Sequence, residues 1–560
     1  MPFSSPGRLR RSHLLAAPAA ALALLAAATG CGSAGSSPST GSGGSATAAK
    51  STSATAAGPA GGTGGTLVIG MTAANVPPLD TILAGTQGYE GYRFVGNQIY
   101  DALTRHDLKQ DKEIPALEPA LATKWMADKT ATSWTFTLRS GVKFTDGTPF
   151  NADAVVFNFD RYKNPKSPYT TPALVAQAAT FVGLVKKVTK VDDSTVRITT
   201  VAPDSHLPED LSTVFIASPT AVKKDPKNFG AHPVGTGPFK FASMTQGQSL
   251  TLVPNESYWG GKPKLDKLIL KPMPEATARI AALRSGSVNW IEYPTPDDID
   301  ALKRSGYQVL TNSYDHIWPW VLNTSAKPWN DPRVRQAANY AIDRDAMATN
   351  LLHGTAEAAD QVAPRANAAY DPANDIYKYD PAKAKELLKA AGVPNGFTTT
   401  VEYPTSGSGN MIPAPMNEAL QKDLAGVGIK VKLKPIEWST MLGQYITGKF
   451  PAGIDAINIS LTFQQESFWP LSFSSTGPIN LGHYKNTKVD ALLGQAQSTV
   501  DTTARAGLYK QAAAQITKDA PWLYVVNDRN PRALAPTVHG FVEPKSWFVD
   551  LTSTWVAPKA

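Results

Sequence analysis

One cysteine, Cys31, occurs in 560 residues. It has no partner for a disulfide within the chain, so no disulfide framework staples this fold. Beyond the N-terminus no stretch reaches 18 uninterrupted apolar residues, so the mature body is expected to be soluble. There is no G-x-S-x-G, H-E-x-x-H or Walker A run, the patterns that carry a nucleophile elbow, a zinc protease site or a phosphate loop. The eight histidines, His13, His106, His206, His232, His316, His353, His483 and His539, form no i, i+4 pair, so a metal site receives little weight. No Lys/Arg block or aromatic-basic stripe points to nucleic acid, although the formal charge is +8. No fixed-period repeat is visible. No cofactor is expected.

What is present begins at the N-terminus. Arg8, Arg10 and Arg11 precede the apolar run Leu14 to Ala28. That run is short for a bilayer span, which needs about 20 residues, and has the flanks of a secretory h-region. Residues 1–30 are therefore expected to be a signal peptide. Residues 32 to 64 are Gly, Ser, Ala, Thr and Pro apart from Lys50. This composition buries too little apolar surface to order itself, and 31–64 is expected to be a flexible linker with a reach of roughly 30 Å. A thiol at the head of such a tail has no pocket to activate it. The stretch "ATGC", Ala28 to Cys31, instead resembles the lipobox of bacterial lipoproteins. That resemblance implies lipidation of Cys31 and an anchor on the outer face of the cell membrane, on the periplasmic side where an outer membrane is present.

From Gly65 onward strands and helices mix. "SWTFTLRS" alternates Trp134, Phe136 and Leu138 with polar residues, the pattern of a half-buried strand, and Ile429, Val431 and Leu433 repeat it. "YDPAKAKELLKAAG" is a helix with both ends marked: Asp380 caps it, Pro381 suits its first turn and Gly392 its exit. Asp331–Pro332 opens another in the same way. In "TDGTPFNADAVVFNFDR" the turn at Asp146–Pro149 leads to Asn151, a cap for the helix after it. Asp297 and Asp298 follow Pro296 and read as helix-start charges. The architecture is α/β.

Several long motifs then occur in one order: "WTFTLRSGVKFTDGTPFNADAVVFNFDR" (Trp134 to Arg161), "GTGPFKF" (Gly235 to Phe241), "NESYWGGKPKLDKLILK" (Asn255 to Lys271), "ARIAALRSGSVNWIE" (Ala278 to Glu292), "LNTSAKPWNDPRVRQAANYAIDRDAM" (Leu322 to Met347) and "YDPAKAKELLKAAG" (Tyr379 to Gly392). Together they resemble the family 5 extracellular solute-binding proteins, which include the peptide- and nickel-binding components of ABC importers. The resemblance implies a two-lobed periplasmic-binding-protein-like fold with two hinge crossings and no catalysis. Lobe I is expected over 66–272 and 536–560, with an extra subdomain at 111–194, and lobe II over 273–535. Leu265 to Met273 is the candidate outgoing crossing and Asn527 to Phe541 the candidate return. The expected function is capture of a solute between the lobes by a monomer that delivers it to a permease driven by ATPase subunits.

The ligand is less legible. Peptide-binding members of the family typically carry Trp, then Asp three residues on, and the Asp pairs with the peptide's ammonium group. In "ISLTFQQESFWP", Ile459 to Pro470, Leu461 stands for the Trp and Gln464 for the Asp, while Glu466 serves if the register shifts by two. A neutral amide does not replace a buried counter-ion. Peptide or peptide-like solutes are favoured; oligosaccharide or metal-chelate binding is the alternative, and a ligand sensor or secreted hydrolase stays open beside transport. The candidate ligand-contacting residues are Trp318, Trp320, Trp438, Tyr445, Phe463, Gln464, Gln465, Glu466, Phe468 and Trp469. Their aromatic faces suit sugars, apolar groups and cations.

Overall fold

The computed structural model describes residues 61–445, 448, 450–462 and 468–558. Cys31, the expected signal segment and most of the expected linker lie outside them, as do Phe463, Gln464, Gln465 and Glu466. The end of the linker is already tied to the body: Gly64 N donates to Lys264 O at 2.6 Å and Val556 N donates to Gly64 O at 3.0 Å. Gly65 has φ +81°, and a Cβ there would sit 2.2 Å from Val556 O, so only glycine lets the chain enter here.

Two mixed sheets organise the molecule. The first runs in the order Gln308–Leu310, Arg532–Leu534, Trp290–Glu292, Thr66–Met71, Lys267–Pro272, Ser249–Pro254, Phe239–Thr245. Thr66–Met71 pairs in parallel with both of its neighbours. The second runs Ala356–Ala358, Trp522–Asp528, His316–Leu322, Ala456–Asn458, Phe397–Pro404, Ile429–Ile436, with Leu461–Thr462 added beside His316–Leu322. Helices such as Pro332–Ala341 and Pro413–Ala425 cover the second sheet, and separate apolar clusters fill its two sides. One large cluster unites the first sheet with the helices and strands before Lys267. The expected caps form: Asn151 accepts from Ala154 N at 3.1 Å, Asp380 from Lys383 N at 2.8 Å and Asp331 from Arg333 N at 2.9 Å.

Sheet membership corrects two expected boundaries. Lobe II does not begin at 273, because Trp290–Glu292 and Gln308–Leu310 both belong to the first sheet. Leu265 to Met273 is therefore not a crossing; it contributes the inner strand Lys267–Pro272. The chain leaves for the second sheet through 311–315 and returns through 529–531, where Asn312 N donates to Arg529 O at 3.1 Å and joins the two crossings. The subdomain is a four-stranded antiparallel sheet, Ala122–Ala127, Ser133–Leu138, Thr195–Thr200, Val185–Asp192. A boundary at 194 would remove Thr195–Thr200, one of its two inner strands. The C-terminal piece packs on lobe I: Val538, Phe541, Phe548 and Leu551 join the first cluster.

Candidate binding cleft

A cavity of about 190 Å³ lies between the two lobes. Lobe I supplies the turn Gly85–Tyr89, one face of the helix Pro172–Val182 (Gln177, Thr180, Phe181) and Trp547. Lobe II supplies His316, Ser408, the first two turns of the helix Trp438–Tyr445, Ile459–Leu461, Phe468 and Ser472.

Local sequence explains each wall. Thr171 accepts from Leu174 N at 3.1 Å and Pro172 fills the first turn, fixing where the lobe I helix begins. Gln177 then reaches Tyr92, donating to its hydroxyl at 2.9 Å. On the other side Glu437 caps its helix, accepting from Ser439 N at 2.9 Å and Thr440 N at 2.8 Å. Trp438 is thereby set at the first position, 6 % exposed. It meets lobe I at Gly88, where a Cβ would lie 3.2 Å from Trp438 Nε1. Phe181 and Phe468 meet edge-to-face across the lobes at 6.0 Å, a favoured aromatic geometry.

Trp547 forms the wall nearest the crossings. Its ring stacks on His316 at 5.7 Å and 21° and lies under the Arg93 guanidinium at 4.9 Å. Its carbonyl accepts from Arg93 Nη1 and Arg532 Nη2, each at 3.2 Å. Those arginines belong to a buried ion network: Arg93 pairs with Glu90 and Glu292, and Arg532 with Glu292 and Glu543. Burial pushes the His316 imidazole down to about 3, so it is neutral. Its Nδ1 accepts from Asp528 N at 3.3 Å; Nε2 therefore carries the proton and donates to Ser460 Oγ at 2.9 Å. Among the described residues no Asp, Glu, Lys or Arg lines this cavity. The walls are aromatic and aliphatic, with neutral hydroxyl, amide and imidazole groups between them.

Of the candidate residues, Trp438 and Phe468 line the cavity. Trp318, Trp320 and Trp469 do not, and their expected place in the cleft is corrected to the core, each at 0 % exposed. Trp318 and Trp320 lie on His316–Leu322, an inner strand buried along its whole length. Trp320 Nε1 donates to Asn417 Oδ1 at 2.7 Å, and Trp469 packs on Phe473 and Tyr509. Tyr445 ends the helix Trp438–Tyr445, its side chain outside the description. Tyr89, Gln177, Phe181, His316 and Trp547 were missed. Trp547 stands in "KSWFVD", after the return to lobe I, and that position was the one available signal. No group of three or more His, Cys, Asp or Glu among the described residues could hold a metal ion.

The model of the bacterial extracellular solute-binding proteins, family 5, matches residues 116–478. This chain belongs to that family. The solute-binding protein is 34 % identical over 484 residues to the heme-binding protein A of Haemophilus influenzae, covering 82 % of this chain and 87 % of that protein. It is 28 % identical to the dipeptide-binding protein of Escherichia coli, covering 85 % and 94 %. Among solved structures, the ABC transporter-associated periplasmic binding protein DppA from Helicobacter pylori, in complex with the peptide STSA, superposes with a TM-score of 0.76 at 27 % identity, covering 88 % of this chain and 98 % of that one. The two sheets and the cavity between them are thus the two lobes and cleft of a solute-binding protein.

Proposed function

We propose that this solute-binding protein of an ABC importer captures a short peptide or peptide-like solute bearing an apolar or aromatic side chain, and delivers it to a membrane permease. The observation that carries this reading is the cavity wall: aromatic on both lobes, neutral throughout its described residues, and studded with hydroxyl groups and the Gln177 amide, groups of the kind that meet a peptide backbone. The volume is somewhat above the 150 Å³ or so that accepts a benzene ring. It therefore suits one side chain and its flanking amides. One relative is named for dipeptide binding, and one related structure was solved in complex with the peptide STSA. A ligand touching both lobes binds the closed state better and shifts the population toward it.

A panel of di- to tetrapeptides carrying Phe, Trp or Leu, run beside hemin and oligosaccharides, tests the reading by thermal shift. A peptide at 100 times its Kd should add about 2.7 kcal/mol of stability. Stabilisation by hemin or a sugar, with none by any peptide, would reject it. We propose Glu466, which lies outside the described residues, as the partner of the peptide's ammonium group, with Gln464 as the alternative position. Glu466→Gln should weaken a free-amine peptide about tenfold and leave the N-acetylated peptide unchanged; equal losses for both would remove Glu466 from that role.

No helix among the described residues is long and apolar enough to cross a membrane. The protein is extracellular in its family, and Cys31 is proposed as its lipid anchor. Cys31→Ser should move the protein from membrane to soluble fractions with peptide affinity unaltered. Retention of the variant in the membrane fraction would reject the anchor.

A further inference from the structure

Three glycines line the interlobe cavity: Gly85, Gly88 and Gly443. The protein's own packing accounts for two of them. A Cβ on Gly85 would sit 2.0 Å from Tyr92 Cζ, and Gly88 has φ +81° with Trp438 Nε1 3.2 Å from its Cβ position. Gly443 has no such reason. It is the sixth of the eight residues of the helix Trp438–Tyr445, its φ is not positive, and it is exposed. A Cβ built on it would meet no heavy atom within 4 Å. Almost any other residue would fit there and make a better helix. The helical Gly494 and Gly507 have the same open space, but neither lines the cavity. What sets Gly443 apart is where its space lies. Trp438, Ser439, Leu442 and Gly443 all line the cavity, and at i, i+1, i+4 and i+5 they form one face of their helix. A side chain at 443 would therefore stand beside that of Ser439, over the cleft.

We infer that Gly443 is a specificity-determining residue of the cleft: the side chain it lacks leaves room for the bulky side chain of the bound peptide. The inference rests on the peptide reading above and names the position that sets how large a side chain is admitted. Elsewhere the lobes already touch, Phe181 against Phe468 and Trp438 against Gly88. In a cavity of about 190 Å³, a side chain at 443 and the side chain of the ligand compete for the same volume. Close-packed sites do not take up added carbon without strain. In the ligand-free protein the added group meets nothing, so its cost falls on the complex alone and grows with the size of the ligand. The helix gains by the same substitution. Stability and affinity for bulky peptides therefore move in opposite directions, which a glycine kept for folding would not allow.

The test uses the whole chain, the Phe and Trp peptides of the panel above, and an Ala counterpart of each. Gly443→Ala and Gly443→Leu place a methyl and then an isobutyl group in the open space. Gly507→Leu is the control, a helix position of Thr502–Asp519 with the same open space and no place on the cavity. Gly443→Leu should raise Kd for the Phe and Trp peptides about tenfold, in the range that overfilling a packed site costs. It should leave the Ala peptides within about threefold and melt no lower than wild type. Gly443→Ala should lower the preference for Phe and Trp over Ala part of the way, and this step decides the matter if the Leu variant fails to fold. Gly507→Leu should leave every affinity within about twofold. Phe and Trp peptides bound by Gly443→Leu as by wild type, or equal losses for the bulky and the Ala peptides, would overturn the assignment while leaving the peptide reading intact. If the wild type binds none of the panel, the peptide reading itself fails and the assignment fails with it.

Discussion

Asp528 is the last residue of lobe II before the chain returns to lobe I, and it is fully buried. Its Oδ2 accepts from Tyr314 Oη at 2.8 Å and from the Tyr293 hydroxyl. Burial pushes the carboxyl up to about 6, against the pull of the Tyr293, Asn530 and Tyr314 hydrogen bonds and of Arg532. The unfolded group titrates near 3.8, so between these pH values the folded state holds a proton that the unfolded state has released. This contribution to stability is complete below about pH 4 and is lost as pH rises through 6. Asp528→Asn removes the titration. The variant should be more stable than wild type by up to about 3 kcal/mol at pH 8, with the difference gone by pH 4, in urea denaturation at each pH. A difference that ignores pH would show that Asp528 does not titrate in this window. Its neighbour His316 moves the other way. Burial keeps it neutral to about pH 3, so its ring nitrogens should show no protonation step from pH 8 to 5, only the smaller shift induced by the titration of adjacent Asp528, and its hydrogen bond to Ser460 should persist. At this scale the sequence was only partly legible. It could name aromatic residues, but the partner that separates a wall from a core, Gly88 for Trp438 and Asn417 for Trp320, is far away in the chain.

The strand His316–Leu322 shows what an element adds. "HIWPWVL" is apolar at nearly every position, the mark of a strand covered on both faces, and all seven residues are buried. That unbroken run was the signal against placing Trp318 and Trp320 in the cleft. Trp320→Ala should cost about 3–5 kcal/mol in stability, measured by urea denaturation, while peptide affinity below the melting transition stays within about twofold. A tenfold loss of affinity in folded protein would return Trp320 to the binding site. Element length also explains the misplaced outgoing crossing. Trp290–Glu292 and Gln308–Leu310 are three residues each, too short for period-two alternation to declare them, and their place in the first sheet comes from pairing with Arg532–Leu534 far along the chain. Capped helices were legible because their signals are local: a side chain and the N–H two or three residues on. Sheet order is not local, and neither is the hinge it defines.

At the scale of the whole molecule, closure has a second set of contacts away from the ligand. The lobe I segment 205–210 meets the lobe II helices Thr487–Ser498 and Thr502–Asp519. Ser205 N donates to Gln497 O at 2.9 Å and Ser205 Oγ to Ala496 O at 2.9 Å. Arg505 Nη1 donates to Ser205 O at 2.8 Å, and Arg505 pairs with Glu209 at 3.1 Å. His206 meets the Tyr509 hydroxyl at 2.8 Å. None of these residues lines the cavity, so the lobes gain from meeting here whatever the ligand is. Apparent affinity scales with the fraction of protein in the binding-competent state, and this seam sets part of that fraction. Arg505→Ala deletes the charged partner common to Ser205 and Glu209, at a cost of about 1.5–3 kcal/mol to the closed form. Peptide Kd should therefore rise, by up to the roughly 10–150-fold that this cost allows, although no ligand contact has changed. Small-angle scattering of the ligand-free variant should show a larger radius of gyration than wild type, and saturating peptide should restore the wild-type value. The two readouts together separate closure from contact. A variant damaged in its ligand contacts would weaken binding without opening the free protein. An unchanged Kd with unchanged scattering would mean that the seam forms passively once the ligand has drawn the lobes together.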